Sequence, residues 1–127
     1  PVPSPIDLKV AEYITEEIRD GACIQLGIGG MPGAVGNIIA ESDLKDLGCH
    51  TEMLGDPYLK MYQAGKLTGQ RKAVDRGKLT YSFALGSQEL YDFIDDNPLC
   101  ASYPVDYTNR TSMSCKQLKQ GGDHNNN

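Results

Sequence analysis

Apolar residues recur at Leu8, Ala11, Ile14 and Ile18, the spacing of one helical face. A start signal precedes them: Ser4 can cap, Pro5 suits the first helical position, and Asp7 places an acid in the first turn. Asp20-Gly21 ends that helix. Ala22–Leu26 is a short apolar run that reads as a buried strand. A glycine-rich loop follows, and Pro32 opens a second helix with Val35, Ile38 and Ile39 on its inner face. Leu47-Gly48 breaks the chain. Cys49–Leu54 reads as a second strand, turned by Gly55-Asp56-Pro57, and Pro57–Ala64 as a helix closed by Gly65. Lys66–Gly77 is polar and reads as a loop. Leu79–Leu85 is β-rich, Gln88–Ile94 is a short helix, and Asn97-Pro98 stops it. Strand, loop and helix alternate throughout, which predicts an α/β domain with a mostly parallel sheet flanked by helices. From Ser112 to Asn127 the chain is polar and aperiodic, and it reads as a disordered tail, a non-native remnant or a misread continuation.

Composition narrows the class. A chain of 127 residues suits one domain. The net charge of −5 argues against a nucleic-acid partner, which would want a basic face. It leaves room for a small anionic ligand, because a local loop can outweigh the global charge. No stretch approaches the roughly 18 apolar residues that cross a membrane, and Pro1–Ala11 carries no signal-peptide pattern. A start at Pro1 rather than Met suggests that the natural N-terminus lies further upstream. Cys23, Cys49, Cys100 and Cys115 are widely spaced, with only His50 and His124 to help them, so no metal site is expected. Cys23 and Cys49 lie in apolar stretches and read as reduced core residues of a cytoplasmic protein.

The chemistry concentrates in Ile24–Val35, IQLGIGGMPGAV. Gly27-x-Gly29 opens like a dinucleotide fingerprint between strand and helix, and Glu52 near the next strand end suits that reading. The third glycine, however, falls on Pro32, with Gly33 one place late. A phosphate loop of the GxxxxGK[ST] type is excluded, since no lysine follows in place. Two further readings stand open. One is a tight turn with no ligand. The other is a loop whose successive N–H groups, ahead of a helix N-terminus, hold an anion or a developing oxyanion.

An oxyanion loop needs a nucleophile, and neighbouring parallel strands deliver their C-terminal ends to one edge. Glu52 lies in a short apolar segment, where a carboxylate is costly unless used or paired. It is either a carboxylate nucleophile or a salt-bridged or exposed strand-end acid. His50, two residues earlier, would share its face on a regular strand and reads mainly as a packing histidine. Ser87 lacks the G-x-S-x-G context of a hydrolase serine. Asp95-Asp96-Asn97-Pro98 reads as a helix cap and turn. Arg71, Lys72, Arg76 and Lys78 read as a solvated basic run, with contact to a ligand phosphate as the other option.

Taken in order, IQLGIGGMPGAV, LGCHTEMLGD, GKLTYSFALGSQELYDFIDDNP and PVDYTN resemble the acetyl-CoA hydrolase/transferase family, in its 4-hydroxybutyrate and butyryl-CoA:acetate CoA-transferase branch. The resemblance runs from about Pro5 to Asn109. It implies the CoA-transferase fold of two related α/β domains with the site between them, in a dimer or larger homo-oligomer. Residues 1–109 would be the first part of a C-terminal domain, and residues 110–127 match nothing. An N-terminal domain and the rest of the C-terminal domain would be missing, leaving this chain inactive alone. In the family a glutamate attacks an acyl-CoA thioester, and CoA passes through a glutamyl-CoA thioester to a second carboxylic acid. Glu52 inherits the nucleophile's role. Gly27, Ile28, Gly29, Gly30 and Met31 inherit the CoA-contacting and oxyanion loop. The implied partners are acyl-CoA and small carboxylates, with coenzyme A as a substrate and no tightly bound cofactor. An acyl-CoA hydrolase and a non-catalytic CoA- or nucleotide-binding module are the alternatives.

Overall fold

The computed structural model describes residues 2–27 and 29–109. Ile28, Cys115, His124 and the tail at 110–127 therefore lie outside the described residues. Helix α1, Pro5–Glu16, starts as its sequence predicts: the Asp7 N–H donates to Ser4 Oγ, and the Ser4 N–H donates back to the Asp7 carboxylate. Strand β1 is Cys23–Ile24 and helix α2 is Gly30–Glu41. Helix α2 starts two residues before Pro32, which sits inside its first turn, where a missing N–H costs nothing.

Strand β2, Gly48–His50, and strand β3, Met53–Leu54, replace the single strand expected over Cys49–Leu54. Strand β4, Leu79–Tyr81, and strand β5, Phe83–Ala84, replace the one expected over Leu79–Leu85. The cause is an irregularity shared by the two lines. Thr51 N–H donates to the Thr80 carbonyl, and then the single Glu52 carbonyl takes both the Ser82 and the Phe83 N–H. Two residues on one line face one on the other, as in a β-bulge, which breaks the ladder and turns the chain. Helix α3 is Asp56–Gln63 and helix α4 is Gln88–Ile94. Strand β6, Cys100–Ser102, and the single-turn helix α5, Val105–Thr108, were not predicted. Cys100 to Ser102 is too short for a strand pattern to register.

Strands β1, β2, β4 and β6 form a parallel sheet in that order, and β3 and β5 pair parallel beside it. Spatial order follows chain order, so each strand–helix–strand unit adds one strand to the same edge. The helices pack in series: α1 on α2, α2 on α3, and Tyr62 of α3 against Phe93 of α4 at 4.9 Å between ring centres. Ala11, Val35, Ile39, Leu54, Tyr58, Met61 and Leu90 fill the core.

The polar run at Lys66–Gly77 is a loop, as expected, but it is not a solvated cationic surface. Arg71 pairs with Asp46 at 3.2 Å. Lys72 is fully buried, and its ammonium donates to the carbonyls of Cys49 and Lys78 and to Thr80 Oγ1, each at 2.9 Å. A buried charge is tolerable only with such partners. Its aliphatic stem passes where a side chain at Gly48 would stand: a Cβ there would lie 2.6 Å from Lys72 Cγ.

Candidate active site

The glycine loop joins the end of β1 to the start of α2, and Tyr58 anchors it. Leu26 N–H donates to Tyr58 Oη at 2.6 Å from the buried face of α3. Burial pushes that phenol well above its ordinary range, so Tyr58 stays neutral and can accept. Gly29 is the N-cap of α2 with φ of 129°, a conformation that favours glycine. Gly29 has no side chain with which to cap this helix end. The N–H groups of Gly30 and Met31 are in the first turn, where no intrahelical carbonyl is available, at the positive end of the helix dipole.

A cleft of about 320 Å³ opens along this loop. That volume is at the lower end of small-molecule sites. Gly27, Gly29 and Gly33 line one side, with Met53, Asp56 and Leu85 on the other and Lys60 at the rim. Among the described residues, a Cβ added at Gly27 or Gly33 would meet nothing within 4 Å. Packing does not demand glycine at either place, whereas a ligand lying close to the backbone would. Gly30 differs. A Cβ there would press on Pro3 Cα at 3.0 Å and Asp7 Oδ2 at 3.1 Å, so its small size serves the α1–α2 contact. Met31 packs against the core rather than lining the cleft. The far wall is held by Asp56, whose carboxylate accepts from the Ser87 N–H and, at 2.7 Å, from Ser87 Oγ.

Glu52 sits in the break between β2 and β3, one residue before Met53 of the cleft. It is half-buried, and Asn109 Nδ2 donates to its Oε2 at 3.0 Å. The strand-end salt bridge considered for Glu52 does not form among the described residues. His50 does not share a regular pleat with Glu52, because the strand breaks between them. Instead His50 Nε2 lies 2.8 Å from the Thr108 carbonyl. A carbonyl only accepts, so Nε2 carries the proton. Thr108 Oγ1 lies 2.6 Å from Ser82 Oγ. His50 and Glu52 thus engage consecutive residues, Thr108 and Asn109, at the end of α5. Burial pulls the His50 pKa below its ordinary value, against the opposing pull of the Thr108 carbonyl.

The structure brings Gly27 and Gly29 into one cleft with the residue after Glu52, while Ile28 lies outside the described residues. Sequence reasoning missed Tyr58 and Asn109 as site supports. Asn109 closes the PVDYTN motif, so the signal was on the page without a geometry to interpret it. No helix among the described residues is long and apolar enough to cross a membrane.

No family model matches the chain. Among curated proteins it is 64% identical over 107 residues to a probable butyrate:acetyl-CoA coenzyme A-transferase of Syntrophomonas wolfei, covering 84% of this chain and 24% of that protein. It is 59% identical over 104 residues to a butyryl-CoA:acetate CoA-transferase of Anaerostipes caccae, covering 82% of this chain and 23% of that protein. Among solved structures it superposes on 4-hydroxybutyrate CoA-transferase from Porphyromonas gingivalis with a TM-score of 0.81 at 38% identity, over 89% of this chain and 29% of that one. The chain spans about a quarter of the length of the curated relatives it matches. Identity at this level on a shared mostly parallel α/β fold makes the chain a member of the CoA-transferase family, over the stretch it covers.

Proposed function

We propose that this chain carries the nucleophile and the anion-holding loop of a CoA-transferase, acting between an acyl-CoA thioester and a small carboxylic acid of the acetate, butyrate and 4-hydroxybutyrate class. Residues 1–109 form part of the C-terminal domain in this reading. The observation that carries it is the placement of Glu52. Its carboxylate is oriented by Asn109, with no cation paired to it among the described residues, one residue from a cleft whose other wall is the N-terminus of α2.

The reaction then runs in balanced steps. A Glu52 oxygen attacks the thioester carbonyl, and the tetrahedral oxyanion sits against the glycine-loop N–H groups. The C–S bond breaks, giving an acyl-glutamyl anhydride and CoA thiolate. The thiolate attacks the glutamyl carbonyl of the anhydride, forms glutamyl-CoA and releases the first acid. The second acid repeats the sequence in reverse and leaves as its CoA thioester, with Glu52 restored. No proton has to be supplied at any of these steps. Coenzyme A is a substrate here. The resemblance supports a homo-oligomer as the working form.

The test is peptide-mapped mass spectrometry after incubating the protein with butyryl-CoA, paired with Glu52→Gln in the full-length protein. A CoA adduct on the Glu52 peptide, with turnover reduced on the order of 10³-fold or more in the variant, is expected. Substantial transferase activity in a folded Glu52→Gln protein would sink the assignment. Rapid loss of thioester without transfer to acetate would point to the hydrolase instead.

A further inference from the structure

Asn109 can orient Glu52 only if α5 is itself held. A single helical turn of four residues has no stability of its own. Several bonds fix it. The His50 ring and the Ser82 hydroxyl hold Thr108 from the sheet side. Asp75, in the long loop between α3 and β4, holds the preceding residue, Tyr107. Its Oδ2 accepts from Tyr107 Oη at 2.6 Å, and its Oδ1 accepts from Tyr103 Oη at 3.3 Å. The two tyrosine rings lie 4.3 Å apart between centres and are tilted by 34°, so Asp75 grips a contacting pair, one ring just before α5 and one within it. Asp75 has a φ of 53°, unusual for a residue with a side chain. Three residues earlier the same loop is pinned inside the protein by Lys72, which shares Thr80 Oγ1 with Asp75: the hydroxyl accepts from Lys72 and lies 3.5 Å from Asp75 Oδ2.

We propose that Asp75 and Tyr107 form a latch that positions the nucleophile: Asp75 holds Tyr107, Tyr107 fixes α5, and α5 presents Asn109 to Glu52. They are positioning residues, not catalytic ones, and the inference rests on the proposed role of Glu52. A path of directional bonds runs from the loop core through Asp75 and Tyr107 along α5 to the reacting carboxylate. Asn109 is exposed to water, and without that path its side chain would swing by more than the roughly 1 Å that orientation-dependent catalysis tolerates.

The test compares Tyr107→Phe, Asp75→Ala and Asp75→Asn in the full-length protein. Tyr107→Phe keeps the ring and removes only the donor. Asp75→Asn keeps an acceptor oxygen for Tyr107. Tyr107→Phe and Asp75→Ala should each lower kcat on the order of 10- to 100-fold with KM for acyl-CoA nearly unchanged. The double variant should be no slower than either single one, and Asp75→Asn should recover much of the loss. The rate at which the Glu52 peptide gains CoA should fall in step. Wild-type kcat in folded Tyr107→Phe, additive losses, or Asp75→Asn as damaged as Asp75→Ala would overturn the latch while leaving Glu52 in place. Absence of any adduct in the unsubstituted protein would remove the nucleophile, and the latch with it.

Discussion

His50 donates its Nε2–H to the Thr108 carbonyl from a buried position, and that arrangement needs no second proton. Protonating the ring would place a charge where water cannot reach it, so the folded-state pKa lies below the 6.5 of a free histidine. The unfolded chain therefore binds a proton that the folded chain resists as pH falls below 6.5. The stability held by neutral His50 is complete above that value and is lost as pH falls through the folded-state pKa. Melting temperatures taken across pH 5 to 7 should drop on the acid side. In His50→Gln, which can still donate to Thr108, the drop should shrink. Carboxylates titrate equally in both proteins, so the difference between the two curves isolates the histidine; superimposable slopes would refute the assignment. Lys72 is the opposite case, a buried amine given three oxygen acceptors that favour its charged form, while burial pulls its pKa down. Read from sequence it was one of four cations in a polar run. Nothing in a hydrophobicity pattern distinguishes a lysine that enters the core from one that does not.

Helices α2 and α3 meet at Gly36, where a Cβ would lie 2.6 Å from Pro57 Cβ and 3.2 Å from Pro57 Cα. Two effects of Gly36→Ala compete. Alanine in a helix interior is favoured over glycine by about 1 kcal/mol. Forcing a methyl into a filled contact costs about 1–3 kcal/mol. Pro57 is rigid and sits in the first turn of α3, so the neighbour cannot yield cheaply. The expected net effect is destabilisation of about 1 kcal/mol or more, read from denaturant midpoints, and a more stable variant would show that the helices separate freely. Pro57 also borders the cleft, so the same change should widen or tilt one of its walls. The elements legible in the sequence were those with period and punctuation: the capped start of α1, which ends at Glu16 rather than at Asp20-Gly21, α3 between Pro57 and Gly65, and α4 behind Ser87. The break at Glu52 was not, because it depends on how the Glu52 carbonyl is shared between Ser82 and Phe83 on a line some thirty residues away. The helix start at Gly30 rather than Pro32 follows from the same limit, since proline is compatible with any position in a first turn.

Across the whole molecule the described surface is uneven. The chain carries a net charge of −5, which by itself favours separate, soluble molecules. Helix α1 works against this. Its inner face buries Ala11, but Ile6 is 75% exposed and Tyr13 59% exposed, with Val10 between them. These positions follow the i, i+4, i+7 spacing of one stripe, so they form a continuous apolar band rather than scattered residues. Repulsion between molecules of the same sign acts over about 10 Å and weakens with salt, whereas apolar contact does not. The 127-residue chain should therefore self-associate through α1, and more strongly as salt rises. Sedimentation velocity over a concentration series should show it. Ile6→Lys with Tyr13→Lys should return the chain to a monomer without lowering its melting temperature, because neither side chain belongs to the core. A chain that stays monomeric at high salt without these changes would show that the stripe is too small to drive association. A double variant that unfolds would show instead that α1 needs its outer face.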